Sequence, residues 1–202
     1  MEVTAHQLKE LDPKQFEKEY RQWTEHAADY EWWDYVEEGF REDCIPLGIE
    51  LRRIYFDTYP WTATFDGYVD VSTWMKHCKL DEKWYPLWLA LDAEKASVTV
   101  TSNNRRHAGL DFEWHENVPY SMPIGIFSDM PEEDWTDMME ELWMQADLYT
   151  ELKDFLHYAC QDLAHSLEKA YDHETSEEAF LDSCEANEVT FDYEGDEDEI
   201  QS

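Results

Sequence analysis

Phe65-Asp66-Gly67-Tyr68-Val69-Asp70-Val71 alternates strictly along the chain. A period of two puts Phe65, Gly67, Val69 and Val71 on one face, and Asp66, Tyr68 and Asp70 on the other. That is the pattern of a strand with one buried side. Upstream, residues 49–57 are β-branched and aromatic but alternate imperfectly, which predicts a second strand carrying a bulge. Downstream, Val98 and Val100 lie on one strand, and Leu110, Phe112 and Trp114 on another, alternating with Asp111, Glu113 and His115. The connection from Asn103 to Gly109 is polar and ends in glycine, as a hairpin loop requires. It holds the chain's one compact basic cluster, Arg105, Arg106 and His107. Whether that cluster pairs internally or meets a partner is open from sequence.

Helical spacing surrounds these strands. Asp12, Pro13 and Gln15 form a helix start, with a capping acid, proline at the first helical position and glutamine where a capping box needs it. Phe16, Tyr20, Trp23 and Ala27 then share one face. A second helix is expected over 29–44, with Trp32 or Trp33, Val36 and Phe40 as its stripe and Pro46 and Gly48 closing it. Ser72 is expected to cap a short helix, and Trp84, Leu87, Trp88 and Leu91 suggest another.

Pro131 opens the longest pattern. Trp135, Met138, Leu142, Tyr149, Leu152, Leu156, Ala159 and Leu163 recur at three and four residues to about Tyr171. A break near Gln145 and Ala146 is left open, so one helix or a pair satisfies the pattern. Residues 175–178 are a capped start, with Ala179, Phe180 and Cys184 inward and Asn187 as the stop. Val189, Phe191 and Tyr193 form a last short strand. The fold class is α+β: a small antiparallel sheet packed against several helices, with one long helix or helix pair in the C-terminal half. Residues 1–193 are expected to form a single globular domain, followed by an acidic flexible tail over 194–202.

Charge dominates the composition. Forty-nine Asp and Glu face fifteen Lys and Arg, a formal net charge of −34. From Asp129 onward there are twenty-five carboxylates and two bases, Lys153 and Lys169, whereas the first 128 residues carry only −11. Acidic chains are often disordered, but ten Trp, twelve Tyr and nine Phe supply ample core material. The first residues lack an apolar run of the signal-peptide kind, and no stretch is long and apolar enough to span a bilayer. An anionic lipid surface would repel the chain. Cys44, Cys78, Cys160 and Cys184 are scattered and expected to be reduced, so the expected location is the cytoplasm, specifically that of a bacterial host.

The carboxylates of the long helical pattern repeat at three, four or seven residues: Glu133, Asp137, Glu140, Asp147, Glu151, Asp154 and Asp162. They lie opposite the apolar stripe, spread over roughly 44 Å at 1.5 Å per residue. That is one charge per about 6 Å, half the axial density of a DNA strand. Glu132, Glu141 and the tail acids Glu194, Asp196, Glu197, Asp198 and Glu199 add to it. A charged outer face is ordinary for an amphipathic helix. Near-absence of compensating bases is not, because stabilising i,i+4 pairs are forgone. A halophile surface would spread its acids evenly, and this chain does not.

Catalytic signals are weak. Eight histidines are dispersed, and no nucleophile elbow, phosphate loop or zinc-protease motif occurs. No catalytic residue, metal ligand or cofactor is expected, and the chain is not expected to be an enzyme.

Residues 30–40 (YEWWDYVEEGF), 48–56 (GIELRRIYF) and Phe65-Asp66-Gly67 resemble a widespread set of acidic bacteriophage proteins, some labelled antitoxin-like. Residues 175–187 (TSEEAFLDSCEAN), with Phe191 and Gly195, resemble the C-terminal end of the same family. Residues 58–64 (TYPWTAT) replace a segment that is richer in Gly and Ser there. The resemblance implies phage origin rather than a mechanism. In charge the chain is also similar to phage restriction inhibitors that mimic DNA. The function expected is therefore an acidic DNA mimic that inhibits a host restriction, CRISPR or recombination complex by occupying its DNA-binding surface. The fourteen acids from Glu132 to Glu199 named above would be its partner-binding residues. The partner would be a basic nucleic-acid-binding host protein, with no direct nucleic acid or membrane contact and the oligomeric state open. The alternative is an antitoxin-like protein that masks a basic toxin.

Overall fold

A computed structural model describes residues 1–27, 31–82, 96–104, 109–115 and 148–193. By its contacts the chain divides into two compact units, Met1–Asp34 with Leu167–Ser202, and Tyr35–Ser166. Each unit has a core of its own. The reason is that the two ends of the chain supply one core jointly, and the sequence between them closes around another.

The central unit holds a four-stranded antiparallel sheet in the order β2-β3-β4-β5. Its strands are β2 (Ile49–Thr58), β3 (Trp61–Asp70), β4 (Ser97–Asn104) and β5 (Gly109–His115). The alternation at Phe65 sets which face is inward: Phe65, Gly67 and Val69 are buried, and Val98 and Val100 lie across from them. The bulge expected in β2 is present, since the register slips between Leu51 and Arg53. The extra residue, Arg52, lays its guanidinium over the Tyr68 ring, 4.0 Å from the centroid. Gly67 has a steric reason to be glycine, because a Cβ there would sit 2.4 Å from the Glu50 carbonyl oxygen.

Helices α3 (Asp34–Cys44) and α4 (Val71–His77) belong to the same unit, with a 3₁₀ turn at Ile45–Leu47. Gly48 ends that turn at φ +70°, the left-handed conformation that favours glycine. The sheet packs on Leu148, Leu152, Leu156 and Cys160 of α5 (Leu148–Glu174), with Cys44, Trp74 and Met75 in the same core. Each such leucine contributes roughly 1.5–3 kcal/mol by leaving water.

Three local expectations change here. The cap of α4 is Asp70, not Ser72: Asp70 Oδ1 accepts the Thr73 N–H at 2.8 Å and the Ser72 hydroxyl at 3.0 Å. The acid at the strand end precedes the first turn by the right offset, which leaves Ser72 buried inside it. Strand β3 begins at Trp61 rather than Phe65, because Thr58 pairs with Trp61 across a tight Tyr59-Pro60 turn containing a cis peptide. Helix α3 starts at Asp34 rather than residue 29, and Trp32 and Trp33 sit in the preceding turn. Trp32 is buried edge-on against Tyr171 of the terminal unit's own segment, at 5.3 Å between ring centroids. Aromatic burial overrides the helical spacing at that position.

The terminal unit is built from the chain's two ends. Strand β1 (Glu2–Thr4) pairs antiparallel with β6 (Thr190–Asp192), with Val3 opposite Phe191. Helix α1 (Ala5–Leu11) follows at once, closed by a capping box between Thr4 and Gln7. Helix α2 (Pro13–Ala27) starts as expected, with Asp12 Oδ1 accepting the Lys14 and Gln15 N–H groups at 3.1 and 3.0 Å. Helix α6 (Glu177–Ala186) also starts where expected, since Ser176 Oγ accepts the Ala179 N–H at 3.1 Å. The core gathers Val3, Leu8, Phe16, Phe180 and Cys184, with Tyr20, Trp23 and Phe191 packed against it.

The helix expected around Trp84, the loop 105–108, the helical pattern from Pro131 to Asp147 with its possible break, and the tail 194–202 lie outside the described residues.

Candidate acidic interaction surface

On α5 the buried stripe dictates the outer face. Leu152, Leu156, Cys160, Leu163 and Leu167 are buried, so positions three and four away on the other side are turned outward. Asp154, Tyr158 and Asp162 occupy that outer side at four-residue intervals, and all are exposed. Glu151, one turn earlier, is half-buried. These three acids are the only members of the fourteen expected partner residues that fall within the described part of the chain. Glu132, Glu133, Asp137, Glu140, Glu141, Asp147, Glu194, Asp196, Glu197, Asp198 and Glu199 lie outside it.

Tyr158 was not among the expected residues, yet it is 66% exposed between two aspartates. Its spacing was the available signal, since it falls on the acidic series rather than on the apolar one. An aromatic ring between carboxylates offers a flat apolar surface beside negative charge, a combination that suits arginine.

Many acids elsewhere are engaged by the fold itself. Asp66 accepts the Ser102 N–H at 2.8 Å and the Tyr55 hydroxyl at 2.7 Å. Asp12 and Asp70 cap helices, and Asp57 accepts the Tyr59 N–H at 3.1 Å. Glu177 pairs with Lys9, Glu17 with Arg21 at 3.5 Å and Glu37 with Arg41 at 3.9 Å. Among the described residues no ion pair engages Asp154 or Asp162. The α5 aspartates Asp154 and Asp162 are therefore among the acids left facing water.

The terminal unit carries acids that the expected set omitted. Glu177, Glu178, Asp182 and Glu185 lie on α6, followed by Glu188 and Asp192, and no Lys or Arg occurs after Lys169. The bases of this unit concentrate on α2, where Lys14, Lys18 and Arg21 line a shallow hollow together with Glu17 and Glu25. Mixed signs at i,i+3 and i,i+4 make that an ordinary solvated helix face.

The thiols are poor nucleophiles at neutral pH. Burial first, then the nearby Asp43, pushes Cys44 up to about 12, with Arg41 opposing. Burial first, then neighbouring Cys44, pushes Cys160 up to about 12 as well. Cys78 and Cys184 are also raised, chiefly by burial. Among the described residues no three His, Cys, Asp or Glu side chains are placed to hold a metal ion. Among them too, no helix is long and apolar enough to cross a membrane. Compared with protein-family models, curated proteins and solved structures, the chain matches none.

Proposed function

We propose that this protein is a phage-encoded acidic mimic of DNA that binds a basic nucleic-acid-handling host complex and blocks it without catalysis. The observation that carries the reading is the outer face of α5, where Asp154 and Asp162 are exposed and unpaired among the described residues with Tyr158 between them. Their eight-residue separation spans roughly 12 Å of helix axis. Along one DNA strand that distance covers three to four phosphates, at about 3.4 Å each. Two carboxylates can thus meet lysines or arginines that normally hold phosphates about three to four steps apart, while Tyr158 stacks on a guanidinium between them.

The excess of thirty-four negative charges adds long-range attraction toward a basic cleft and speeds encounter. No active-site chemistry is needed for this, because occupying the surface is sufficient to exclude nucleic acid.

The test is a pull-down from bacterial lysate followed by competition with duplex DNA across a salt series. Capture of a nucleic-acid-binding protein, displaced by DNA and weakened at least tenfold at 0.5 M salt, is the expected outcome. Salt-independent capture, or a partner that DNA does not displace, sinks the mimic reading. Growth rescue against one specific toxin without DNA competition would replace it with toxin masking.

A further inference from the structure

Gly39 is a glycine that its own fold does not use. It lies in the middle of α3, in ordinary helical backbone, and is exposed to solvent. A Cβ there would meet nothing within 4 Å, so no neighbour excludes a side chain. Gly48 and Gly67 differ, the first for its left-handed φ and the second for the Glu50 carbonyl beside it. A glycine inside a helix disfavours it relative to alanine, because more backbone freedom is lost on folding. Helix α3 therefore forgoes stability at Gly39 with no packing gain to offset it.

The face around this glycine has one character. At 100° per residue Tyr35, Glu38, Gly39 and Glu42 fall within roughly 100° of arc, and all four are exposed. Phe40 and Cys44, which pack into the central core, are roughly 150–190° from the middle of that arc. Tyr35 is 55% exposed one turn before Gly39, and Glu42 follows one turn after. Exposed Asp43 stands at the edge of the same face. Arg41, the helix's only base, is engaged elsewhere: it donates to the Leu51 carbonyl at 2.9 Å and pairs with Glu37 at 3.9 Å. Among the described residues no ion pair engages Glu38, Glu42 or Asp43.

We infer that this face of α3 seats an arginine of the partner protein, with its stem across Gly39 and its guanidinium stacked on Tyr35. The missing Cβ leaves the helix backbone open to close approach. A planar guanidinium stacks on a phenol ring and forks onto carboxylates, here Glu38 and Glu42, a combination that a lysine ammonium does not match. The same pairing occurs inside the chain, where Arg52 lies over Tyr68. A second copy of the chain is a poor occupant, because a two-fold contact would set these acids against their own image. The inference rests on the reading of the chain as a ligand of a basic partner. It adds a contact, on a helix other than α5, that tells arginine from lysine.

The test titrates isotope-labelled full-length protein with two synthetic peptides of equal length and charge. One carries Arg and the other Lys at every basic position. The Arg peptide is expected to bind at least about threefold tighter, with amide shifts centred on Tyr35, Gly39 and Glu42. Tyr35→Ala should remove that preference. Gly39→Gln should move fold and binding in opposite directions. Better helix propensity raises the denaturation midpoint, while the new side chain fills the seat and weakens the Arg peptide at least about threefold.

A raised midpoint with unchanged affinity for the Arg peptide overturns the seat. A lowered midpoint, or failure to fold, overturns it as well, because the fold itself would then need the glycine. So do equal affinities for the two peptides, shifts centred on the outer face of α5, or self-association that Gly39→Gln removes. None of these outcomes sinks the mimic reading, which stands or falls on salt dependence and competition with duplex DNA.

Discussion

The two units bury their cores by opposite routes. In the central unit the strands of the sheet are sequential neighbours, and the period of two from Phe65 to Asp70 shows which face turns inward. In the terminal unit Val3 meets Phe191, and Phe16 meets Phe180, so residues from the two ends of the chain must find each other before either end is stable. Local pattern suffices for the first route. The second depends on contacts whose loop-closure entropy has to be recovered by burial.

The contrast breaks most easily at Phe180. It is buried at the meeting point of Phe16, Tyr20, Trp23 and Phe191, so Phe180→Ala should cost about 3–5 kcal/mol. Hydrogen exchange should then show protection lost in α1, α2 and α6 while β2 to β5 keep theirs. Equal loss in both units would contradict a division into separate cores.

A smaller effect is expected from Gly67→Ala in the central unit. The new Cβ would meet the Glu50 carbonyl at 2.4 Å, forcing β2 and β3 apart at about 1–3 kcal/mol. Chemical denaturation with far-ultraviolet circular dichroism measures it, and an unchanged midpoint would mean that the strands move apart freely.

Alkali separates the same cores by titration. Cys44 and Cys160 ionise near 12 when folded and near 9.0 when unfolded. Between those values the unfolded chain binds fewer protons, so stability falls as pH rises, by at most about 1.4 kcal/mol per pH unit for each thiol. Below the unfolded value the thiols contribute no slope. Replacing both cysteines with alanine should flatten the decline above pH 9 relative to the parent chain, as read from denaturation midpoints.

Thr4→Ala should cost about 1 kcal/mol by removing the cap of α1, with the loss read in the terminal unit. The smallest stability effect belongs to the acidic face. Asp154→Lys with Asp162→Lys should leave the melting temperature nearly unchanged, because both are exposed and unpaired among the described residues. The same pair should weaken binding to the captured basic partner by about tenfold or more. Unchanged binding would move the partner contact off this face.

Legibility followed the range of the interactions. The starts of α2 and α6 could be read because Asp12 and Ser176 bond backbone groups two or three residues away. The bulge in β2 could be read because broken alternation is itself local. Strand β1 could not, since three residues show no period and only β6 makes them a strand. Helix α1 was not read either, although Thr4 and Gln7 stand at capping-box spacing, because that signal is weak without the strand before it. The cap of α4 was misassigned by two residues because Asp70 and Ser72 are both good caps, and the strand's end decides between them.

The candidate surface divides in the same way. Net charge, its concentration after Asp129 and the spacing of Glu151, Asp154 and Asp162 are properties of the chain alone, since counting and helical period require no partner. Which acids remain available was settled by tertiary structure. Asp66 and Asp70 are occupied by backbone groups brought to them by the sheet, while Asp154 and Asp162 are left outward by the burial of Leu152, Leu156 and Leu163. The exposure of Tyr158 came from folding too, because exposure is set by what packs against a residue and not by its type.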